Sequence, residues 1–372
     1  MSYKKRISII GTNGLPAKYG GFETLTHYLS KNLSEDFDVT VYCSKRPNDA
    51  KLKEYNNSKL VYLPFRANGW QSIVYDCVSI LHSLLRDDVL IVLGYTGVFV
   101  FPLKYLFKKK IILNIGGIEW QKVRAGRFAS KVEVSIKKLL EKISIKLSDV
   151  VVTDNQVIFD YVKQEYEVEP KLIEYGGDHA IYNSINDTLV KKFPFLNSEY
   201  DLTVSRAQTD MNIHIVIDAY KKIKKRNLVI ISNWNISEYG IQLKQDNYNK
   251  YENIFLLDAI YDLELLNIIR GNSRVYLHTH SLCGTAPSLV EAMSLGLPVV
   301  CFDVPTNRAT TEEKTLYFKD AVSLQKIMEN ISDIEIKRIK ETMQEIAVRR
   351  YTWSRIVGLY KNCIQNNVNN GK

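Results

Sequence analysis

The sequence predicts an α/β protein of two doubly wound domains, each a mostly parallel sheet covered by helices on both faces. Short β-branched runs alternate with helical patterns through the first half, and a second alternating series follows a break. The chain has 372 residues, which is too long for one ordinary core. Its hydrophobic fraction of 45% is typical of a folded globular protein.

The apolar runs and the helical periodicities give the expected elements. In the first half we predict strands at 7–10, 38–42, 60–63, 90–93, 111–115, 150–153 and 172–175, with helices at 23–33, 71–85, 129–147 and 156–164. In the second half we predict strands at 202–205, 228–231, 254–257, 274–277 and 298–302, with helices at 213–222, 261–269 and 288–295, and a tail from 324 to 364 that is helical only.

Periodicity lapses around 176–195, where Gly, Asn, Asp and Pro cluster between apolar runs, so we expect a domain boundary there. The expected division is 1–182, 183–345 and a C-terminal helix, 346–372, that packs back on the first domain. Two such domains in tandem predict a cleft with ligands at the carboxyl ends of the strands. This architecture occurs in dehydrogenases, epimerases and glycosyltransferases, so it does not choose among them.

Composition excludes several classes. Five widely spaced cysteines without a CxxC pair argue against a disulfide framework and a zinc site, and predict a reducing cytoplasm. No stretch reaches the roughly 18 uninterrupted apolar residues of a transmembrane helix. The first residues lack the apolar region of a signal peptide, so we expect none.

The net charge of +9 is concentrated in one region, Lys104–Lys146, which carries twelve Lys or Arg against three Glu. The helix predicted at 129–147 is both basic and amphipathic, so it either packs on the sheet or lies partly on a membrane. A solvated helix face and an anionic membrane surface are the two main interpretations of the charge. Nucleic acid is not expected, because no binding motif is present.

A glycine-rich loop, 11–23, lies between the first strand and the first helix. Gly20 and Gly21 stand directly before that helix, where paired glycines let the backbone approach a phosphate or sugar. The spacing is not GxGxxG, so a dinucleotide-binding fingerprint is not predicted. A structural turn is the alternative.

The stretch 281–299 predicts a loop, a short helix and a strand. Pro287 stands where the helix begins, and Glu291 lies one turn later on the same side. A carboxylate beside free helix-terminal N–H groups suits a nucleotide sugar. The carboxylate accepts hydrogen bonds from the pentose hydroxyls, and the backbone amides bind the phosphates. An exposed helical glutamate is the alternative.

Three further groups follow predicted strands. Arg206 ends the first strand of the second domain, where its guanidinium suits diphosphate oxygens and the departing charge. An ordinary surface salt bridge is the alternative. Glu119 is a candidate acceptor-side carboxylate in a segment that holds Gly116, Gly117, Trp120, Lys122 and Arg124. The pair His278-x-His280 lines either the binding pocket or the core. The sequence predicts no metal site, although this pair is the one histidine spacing that resembles a ligand set.

Together these residues resemble the bacterial rhamnosyltransferase group, of the DUF1972 type, within the retaining glycosyltransferases of the GT-B fold. The similarity covers nearly the whole chain and is most specific in the block Gly14–Thr24. The stretch Gly284–Ala292 is similar to the group's Gly-Thr-Asn-Pro-Ser-Leu-x-Glu-Ala, and 303–308 also resembles it.

The resemblance implies a donor site in the second domain and an acceptor side in the first. Glu291 would bind the donor pentose and Arg206 the diphosphate. Gly20 and Gly21 would form the loop near the transferred sugar. The full expected donor set is Gly20, Gly21, Arg206, His280, Gly284, Thr285, Ala286, Pro287, Ser288 and Glu291, with Glu119 as the third catalytic candidate.

Three positions depart from the pattern. Cys283 stands eight residues before Glu291, where the wider family has a Glu. No Lys occupies the position near Asn212 that usually assists the arginine, and Gly116 stands where several rhamnosyltransferases have an Asp.

We therefore expect a glycosyltransferase without a metal or other cofactor. It would move a sugar, often L-rhamnose from dTDP-L-rhamnose, with retention of configuration to a polyprenyl-diphosphate-linked saccharide in capsule or O-antigen synthesis. It would be cytoplasmic and peripheral on the inner face of the cell membrane. The alternatives are a transferase of another nucleotide sugar (a UDP-hexose or UDP-N-acetylhexosamine), a sugar-nucleotide epimerase, and a non-catalytic sugar-binding or scaffold protein.

Overall fold

The computed structural model describes residues 4–17, 20–44, 52–118, 120–121 and 130–366. The chain forms two compact units, one of Met1–Glu174 with Ser354–Lys372 and the other of Tyr175–Trp353. The chain passes from the first unit to the second after Glu174 and returns after Trp353. Glu119, Lys122 and Arg124 of the predicted acceptor side lie outside the described residues.

Unit 1 is built on an eight-stranded sheet in the order β3-β4-β2-β1-β5-β6-β7-β8, parallel except for β3. Its strands are β1 (Arg6–Ile10), β2 (Asp38–Ser44), β3 (Glu54–Tyr55), β4 (Ser58–Leu63), β5 (Val89–Leu93), β6 (Lys110–Ile115), β7 (Val150–Thr153) and β8 (Lys171–Leu172). The helices whose bounds lie within its described residues, before the last helix of the chain, are α1 (Gly21–Leu33), α2 (Gln71–Leu84), α3 (Leu103–Phe107), α4 (Lys131–Leu147) and α5 (Gln156–Tyr166).

Unit 2 is built on a six-stranded parallel sheet in the order β11-β10-β9-β12-β13-β14. The strands are β9 (Tyr200–Val204), β10 (Asn227–Ser232), β11 (Ile254–Asp258), β12 (Val275–His278), β13 (Val299–Phe302) and β14 (Leu316–Phe318). The helices are α6 (Asp187–Lys192), α7 (Ile213–Tyr220), α8 (Glu238–Asn247), α9 (Leu263–Gly271), α10 (Pro287–Ser294), α11 (Pro305–Thr310), α12 (Ala321–Asn330) and α13 (Asp333–Arg350).

The last helix, α14 (Trp353–Gln365), belongs to unit 1 from Ser354 onward. Its Tyr360 is fully buried and accepts a hydrogen bond of 2.6 Å from the side-chain amide of Asn114 on β6. Lys110, at the start of β6, donates to the carbonyl of Cys363 at 2.6 Å. The α14 side chains thus complete the core of a unit that otherwise ends near residue 174.

The predicted α/β class with two parallel-sheet domains is confirmed. The central strands are read correctly because they are buried on both faces: all five residues of β5, Val-Leu-Ile-Val-Leu, are buried. The missed elements have weaker signals. Strands β3 and β14 are only two and three residues long, so the alternation typical of a strand is not visible in them. Helix α8 is mostly polar, so the helical repeat of apolar residues is not visible in it.

Both sheets have a position at which the strand order reverses. In unit 1, β1 lies between β2 and β5, and in unit 2, β9 lies between β10 and β12. In doubly wound sheets, ligands bind outside the carboxyl ends of the strands at such a position, because the two connecting helices leave on opposite faces and open a crevice. The loops after β9 and β12 are therefore where a ligand of unit 2 is expected.

Candidate functional site

The loops after β9, β12 and β13 are joined by side-chain hydrogen bonds. Asn212, which has a left-handed backbone with φ +50°, donates to the carbonyl of Thr279 at 3.0 Å. The hydroxyl of Ser281 donates to the carbonyl of Asp210 at 2.8 Å, and Asn307 donates to the carbonyl of His280 at 2.9 Å. Asn212, Ser281 and Asn307 thus join the segments that follow β9, β12 and β13 into one edge.

Arg206 lies near enough to His280 at this edge for its charge to act on the imidazole. Arg206 is exposed, although it follows the fully buried strand β9. Burial and the nearby positive charge of Arg206 lower the pKa of His280 to about 3. His278, buried at the end of β12, has a pKa well below its usual value because of burial and of His280. Both imidazoles are therefore neutral beside one exposed cation.

The two histidines lie against Cys283. Their rings are 4.3 Å apart between centroids, and Cys283 Sγ is 3.8 Å from His280 Nδ1. In the described part of the chain, these three side chains are the group whose ligand atoms, within 4.8 Å of one another, could hold a metal ion. A cation there would face the positive charge of Arg206, whereas an anion would be attracted by it. The charge of the edge favours an anionic ligand.

The amino end of α10 opens at the same edge. Ala286 is its N-cap and Pro287 its first residue, and no side chain caps the helix. Gly284, Thr285 and Ala286 are buried, and Ser288 Oγ is buried without a hydrogen-bond partner among the described residues. An uncapped helix start suits an anion.

Glu291 lies one turn into α10 and is only 12% exposed. Its Oε2 is 2.6 Å from Arg270 Nη1, and its Oε1 is 3.1 Å from His179 Nε2. Burial acts to raise the pKa of Glu291, but the charge of Arg270 and the hydrogen bond from His179 outweigh it and leave the pKa below its usual value. The carboxylate is therefore ionised, and the two contacts occupy two of its four lone-pair positions.

The glycine loop of unit 1 is held by Glu23. The Oε1 atom of Glu23 accepts hydrogen bonds from the backbone and side chain of Asn13, at 3.1 and 2.7 Å. Gly20 has φ +128°, and a Cβ there would lie 2.1 Å from Glu23 Oε2, so only glycine fits. Gly21 begins α1. The described parts of the loop at Asn13 and Gly20 thus lie against the Glu23 side chain in the first turn of α1.

The other predicted residues of unit 1 follow β6. A Cβ at Gly116 would lie 3.0 Å from the Phe22 ring and 3.5 Å from Asp154 Oδ2. Gly117 is buried. Trp120 donates from Nε1 to the hydroxyl of Tyr161 at 2.9 Å, which fixes the indole to α5. Gly20, Gly21, Gly116, Gly117 and Trp120 belong to unit 1, and the remaining described donor residues to unit 2.

Comparisons with known protein families decide the class. Residues 186–350 match the family model "Glycosyl transferases group 1". The chain is a glycosyltransferase of the GT-B fold. Residues 4–178 match the model "Domain of unknown function (DUF1972)". The expected enzyme class is therefore confirmed. A comparison with curated proteins gives no sequence match.

Solved structures similar to the glycosyltransferase cover nearly all of it. Sucrose-phosphate synthase from Thermosynechococcus elongatus superposes with a TM-score of 0.80 at 16% identity, covering 97% of this chain and 99% of the other. HepE from Anabaena, solved in complex with UDP and glucose, gives 0.76 at 15%, with the same coverage. An UDP-N-acetylglucosamine 2-epimerase from Listeria monocytogenes, described as putative, gives 0.64 at 12%, covering 98% of both chains. At such identities these similarities show the fold.

Several residues of the glycosyltransferase were missed by sequence reasoning. Arg270 and His179 contact Glu291 but lie in α9 and near the first passage between the units. Asp154 is 2% exposed and approaches Gly116, where the acid of the rhamnosyltransferase group is absent. Asp154 directly follows β7, and this position at the end of a strand was the signal in the sequence that could have marked it as a candidate. No local pattern connects Arg270 or His179 to Glu291.

Proposed function

We propose that this glycosyltransferase takes its sugar from a nucleoside diphosphate sugar bound at the edge of unit 2. One observation carries the proposal: an exposed arginine, two neutral imidazoles and an uncapped helix start lie at the topological switch point of a glycosyl transferases group 1 domain. A guanidinium, an imidazole N–H and the amino end of a helix can each bind phosphate oxygens without a metal ion. The nearby cation Arg206 supports a metal-independent transfer.

The residues have distinct roles in this proposal. Arg206 and the amino end of α10 bind the diphosphate and stabilise the negative charge that develops when the sugar–phosphate bond breaks. His280 donates a hydrogen bond to a phosphate oxygen, and Glu291 accepts hydrogen bonds from the pentose. With stabilisation concentrated on the leaving group, the bond between sugar and phosphate breaks, and the acceptor hydroxyl bonds to the anomeric carbon on the same face. Its proton passes to the departing phosphate oxygen, and the anomeric configuration is retained.

The proposed donor sugar is L-rhamnose, carried by dTDP, and the proposed acceptor is a saccharide on a polyprenyl diphosphate. This choice rests on the resemblance of the Gly14–Thr24 block to the rhamnosyltransferase group. Transfer of another hexose or an N-acetylhexosamine from UDP is the alternative within the same chemistry. Glu119, which lies outside the described residues, and Trp120 remain the proposed acceptor-side residues, with Gly116, Gly117, Lys122 and Arg124.

A panel of nucleotide sugars tests the donor. Thermal unfolding is measured with dTDP-L-rhamnose, UDP-glucose and UDP-N-acetylglucosamine at one common concentration. At 100 times its Kd the true donor is expected to stabilise the protein by about 2.7 kcal/mol, and a nucleotide sugar that binds more weakly stabilises it less. Incubation with that donor alone separates the reaction classes: an epimerase converts it, whereas a transferase leaves it nearly intact until an acceptor is added. No stabilisation by any nucleotide sugar contradicts the proposal.

Helix α4 supports an acceptor at a membrane. Its buried residues Glu141, Ser144 and Ile145 face unit 1, and Leu140 and Leu147 pack against the core. Four other apolar residues at helical spacing remain 38–65% exposed, namely Val132, Ile136, Leu139 and Ile143. Five lysines flank them, namely Lys131, Lys137, Lys138, Lys142 and Lys146. An exposed apolar stripe with a cationic border fits an anionic lipid surface.

Neighbouring elements extend this surface. Helix α2, the turn at Val98–Val100, α3 and α4 lie in contact along one side of unit 1. Large apolar side chains are exposed there as well, including Leu85 at 66%, Phe99 at 60% and Leu106 at 75%. Among the residues described, no helix is long and apolar enough to cross a membrane. We propose that the enzyme binds the inner face of the cell membrane through this side of unit 1.

Replacing Val132, Ile136 and Leu139 by serine is expected to reduce binding to vesicles containing phosphatidylglycerol by at least tenfold. The exposed side chains insert apolar area into the lipid interface, at about 1.5–3 kcal/mol for each full burial. Co-sedimentation measures the effect. Ile334→Ser with Val348→Ser is the control, because these apolar residues of α13 in unit 2 are even more exposed, at 83% and 69%. Vesicle binding that depends neither on the salt concentration nor on the content of anionic lipid would contradict the proposed surface.

A further inference from the structure

A buried network of three side chains surrounds the Glu291 carboxylate. Arg270, at the end of α9, is 3% exposed and pairs with Oε2 at 2.6 Å. His179 approaches Oε1 at 3.1 Å and is itself contacted by Trp353, whose Nε1 lies 3.0 Å from His179 Nδ1. All four residues belong to unit 2.

The direction of the hydrogen bonds follows from Trp353. An indole N–H can only donate, so Nδ1 of His179 must accept. The ring proton of the neutral imidazole then lies on Nε2, and Nε2–H donates to Glu291. Trp353 therefore selects the tautomer in which His179 is a donor to the carboxylate. The opposite tautomer would place a lone pair against the carboxylate and a second N–H against the indole.

The backbone around His179 is packed so that these positions are fixed. Trp353 N donates to Asp178 Oδ1 at 2.9 Å, and Gly177 N donates to the carbonyl of Tyr351 at 2.8 Å. A Cβ at Gly176 would lie 2.5 Å from the Trp353 ring, and one at Gly177 would lie 2.4 Å from the carbonyl oxygen of Val290 on α10. The segment 176–179 thus fills the space between Trp353 and α10.

We infer that His179, Arg270 and Trp353 are positioning residues, which hold the Glu291 carboxylate in the orientation that accepts the pentose hydroxyls of the donor. The inference rests on the proposed role of Glu291 in donor binding. Arg270 and His179 each take one oxygen and leave one lone-pair position on each oxygen for the ligand. When either partner is removed, the Glu291 carboxylate samples other rotamers. Donor binding must then order this side chain, which costs binding free energy.

Nucleoside diphosphate binding by the full chain tests the inference, with UDP and dTDP as probes in calorimetry. His179→Ala and His179→Asn are expected to weaken binding about tenfold, equivalent to about 1.4 kcal/mol. His179→Gln is expected to restore most of the affinity, because its amide nitrogen can occupy the place of Nε2–H. In steady-state transfer assays, kcat is expected to change less than the KM for the donor.

Trp353→Phe is expected to weaken binding several-fold and to remove the single tautomer. In ¹⁵N NMR spectra at neutral pH, His179 of the unaltered chain is expected to show protonated Nε2 and unprotonated Nδ1, assigned by the loss of its signals in His179→Gln. Trp234→Phe is the control: it removes a buried hydrogen bond, 2.8 Å from Nε1 to the Leu257 carbonyl, away from Glu291. It should lower stability without changing affinity.

The outcomes separate this inference from the proposed function. If Glu291→Gln binds both nucleotides as tightly as the unaltered chain, the role of Glu291 in donor binding is wrong, and the inference fails with it. If Glu291→Gln weakens binding but His179→Ala and Trp353→Phe do not, the donor role stands and the positioning role is overturned. A protonated Nδ1 on His179 also overturns it.

Discussion

Replacing Arg206 by alanine is expected to reduce sugar transfer at least a hundredfold, which corresponds to about 2.7 kcal/mol of transition-state stabilisation. The guanidinium lies beside His280 at the edge of unit 2, where the diphosphate is proposed to leave. Its loss removes a charge-assisted contact that strengthens as the bond to the sugar breaks. Transfer from the donor identified in the panel, followed by product analysis, measures the change.

This substitution tests function rather than folding, because Arg206 is exposed. The thermal unfolding of Arg206→Ala is expected to match that of the unaltered protein. Arg206→Lys keeps the charge without the bidentate geometry and should fall between the two. Arg338→Ala, an exposed arginine on α13, serves as the control and should be fully active. Normal turnover by Arg206→Ala would remove the basis for the proposed diphosphate site.

Replacing Asp201 by alanine is expected to destabilise unit 2 by about 3–5 kcal/mol. Asp201 is 1% exposed at the start of β9 and accepts hydrogen bonds from Arg226 Nε and Nη2, at 2.8 and 2.7 Å, and from the hydroxyl of Tyr220 at 2.5 Å. The fully buried Tyr220 has a pKa well above its usual value, because of burial and of Asp201, and stays a donor. Without the carboxylate, a buried hydroxyl and a largely buried cation lose their partner.

Thermal unfolding measures this loss, and a decrease of roughly 10 °C is expected for a unit of this size. Asp258→Ala is the matched control. Asp258 also pairs with a cation, Lys244, at 2.6 Å, but is 75% exposed, so removing it should cost less than about 1 kcal/mol. Equal effects of the two substitutions would contradict the assigned importance of the buried network.

Much of the fold follows from local sequence. The central strands are short apolar runs buried on both faces, and their neighbours are spaced for parallel pairing through helices. The start of α10 is equally readable, because Pro287 occupies the first helical turn. Helix α4 shows the limit of this reasoning. Its amphipathic sequence is compatible both with packing on the sheet and with a membrane surface. Only the structure shows that Leu140 packs inward while Leu139 is exposed.

The sequence by itself determined two doubly wound domains, the positions of Arg206 and Glu291 at the ends of particular elements, and the concentration of basic charge in the first half. Hydrophobic period and turn chemistry act over a few residues, so they are visible in the sequence. Tertiary structure decided that Glu291 contacts His179 and Arg270, that Arg206 lies beside His280, and that α14 completes unit 1. These pairings depend on how distant segments pack, and packing through space leaves no periodic signal along the chain.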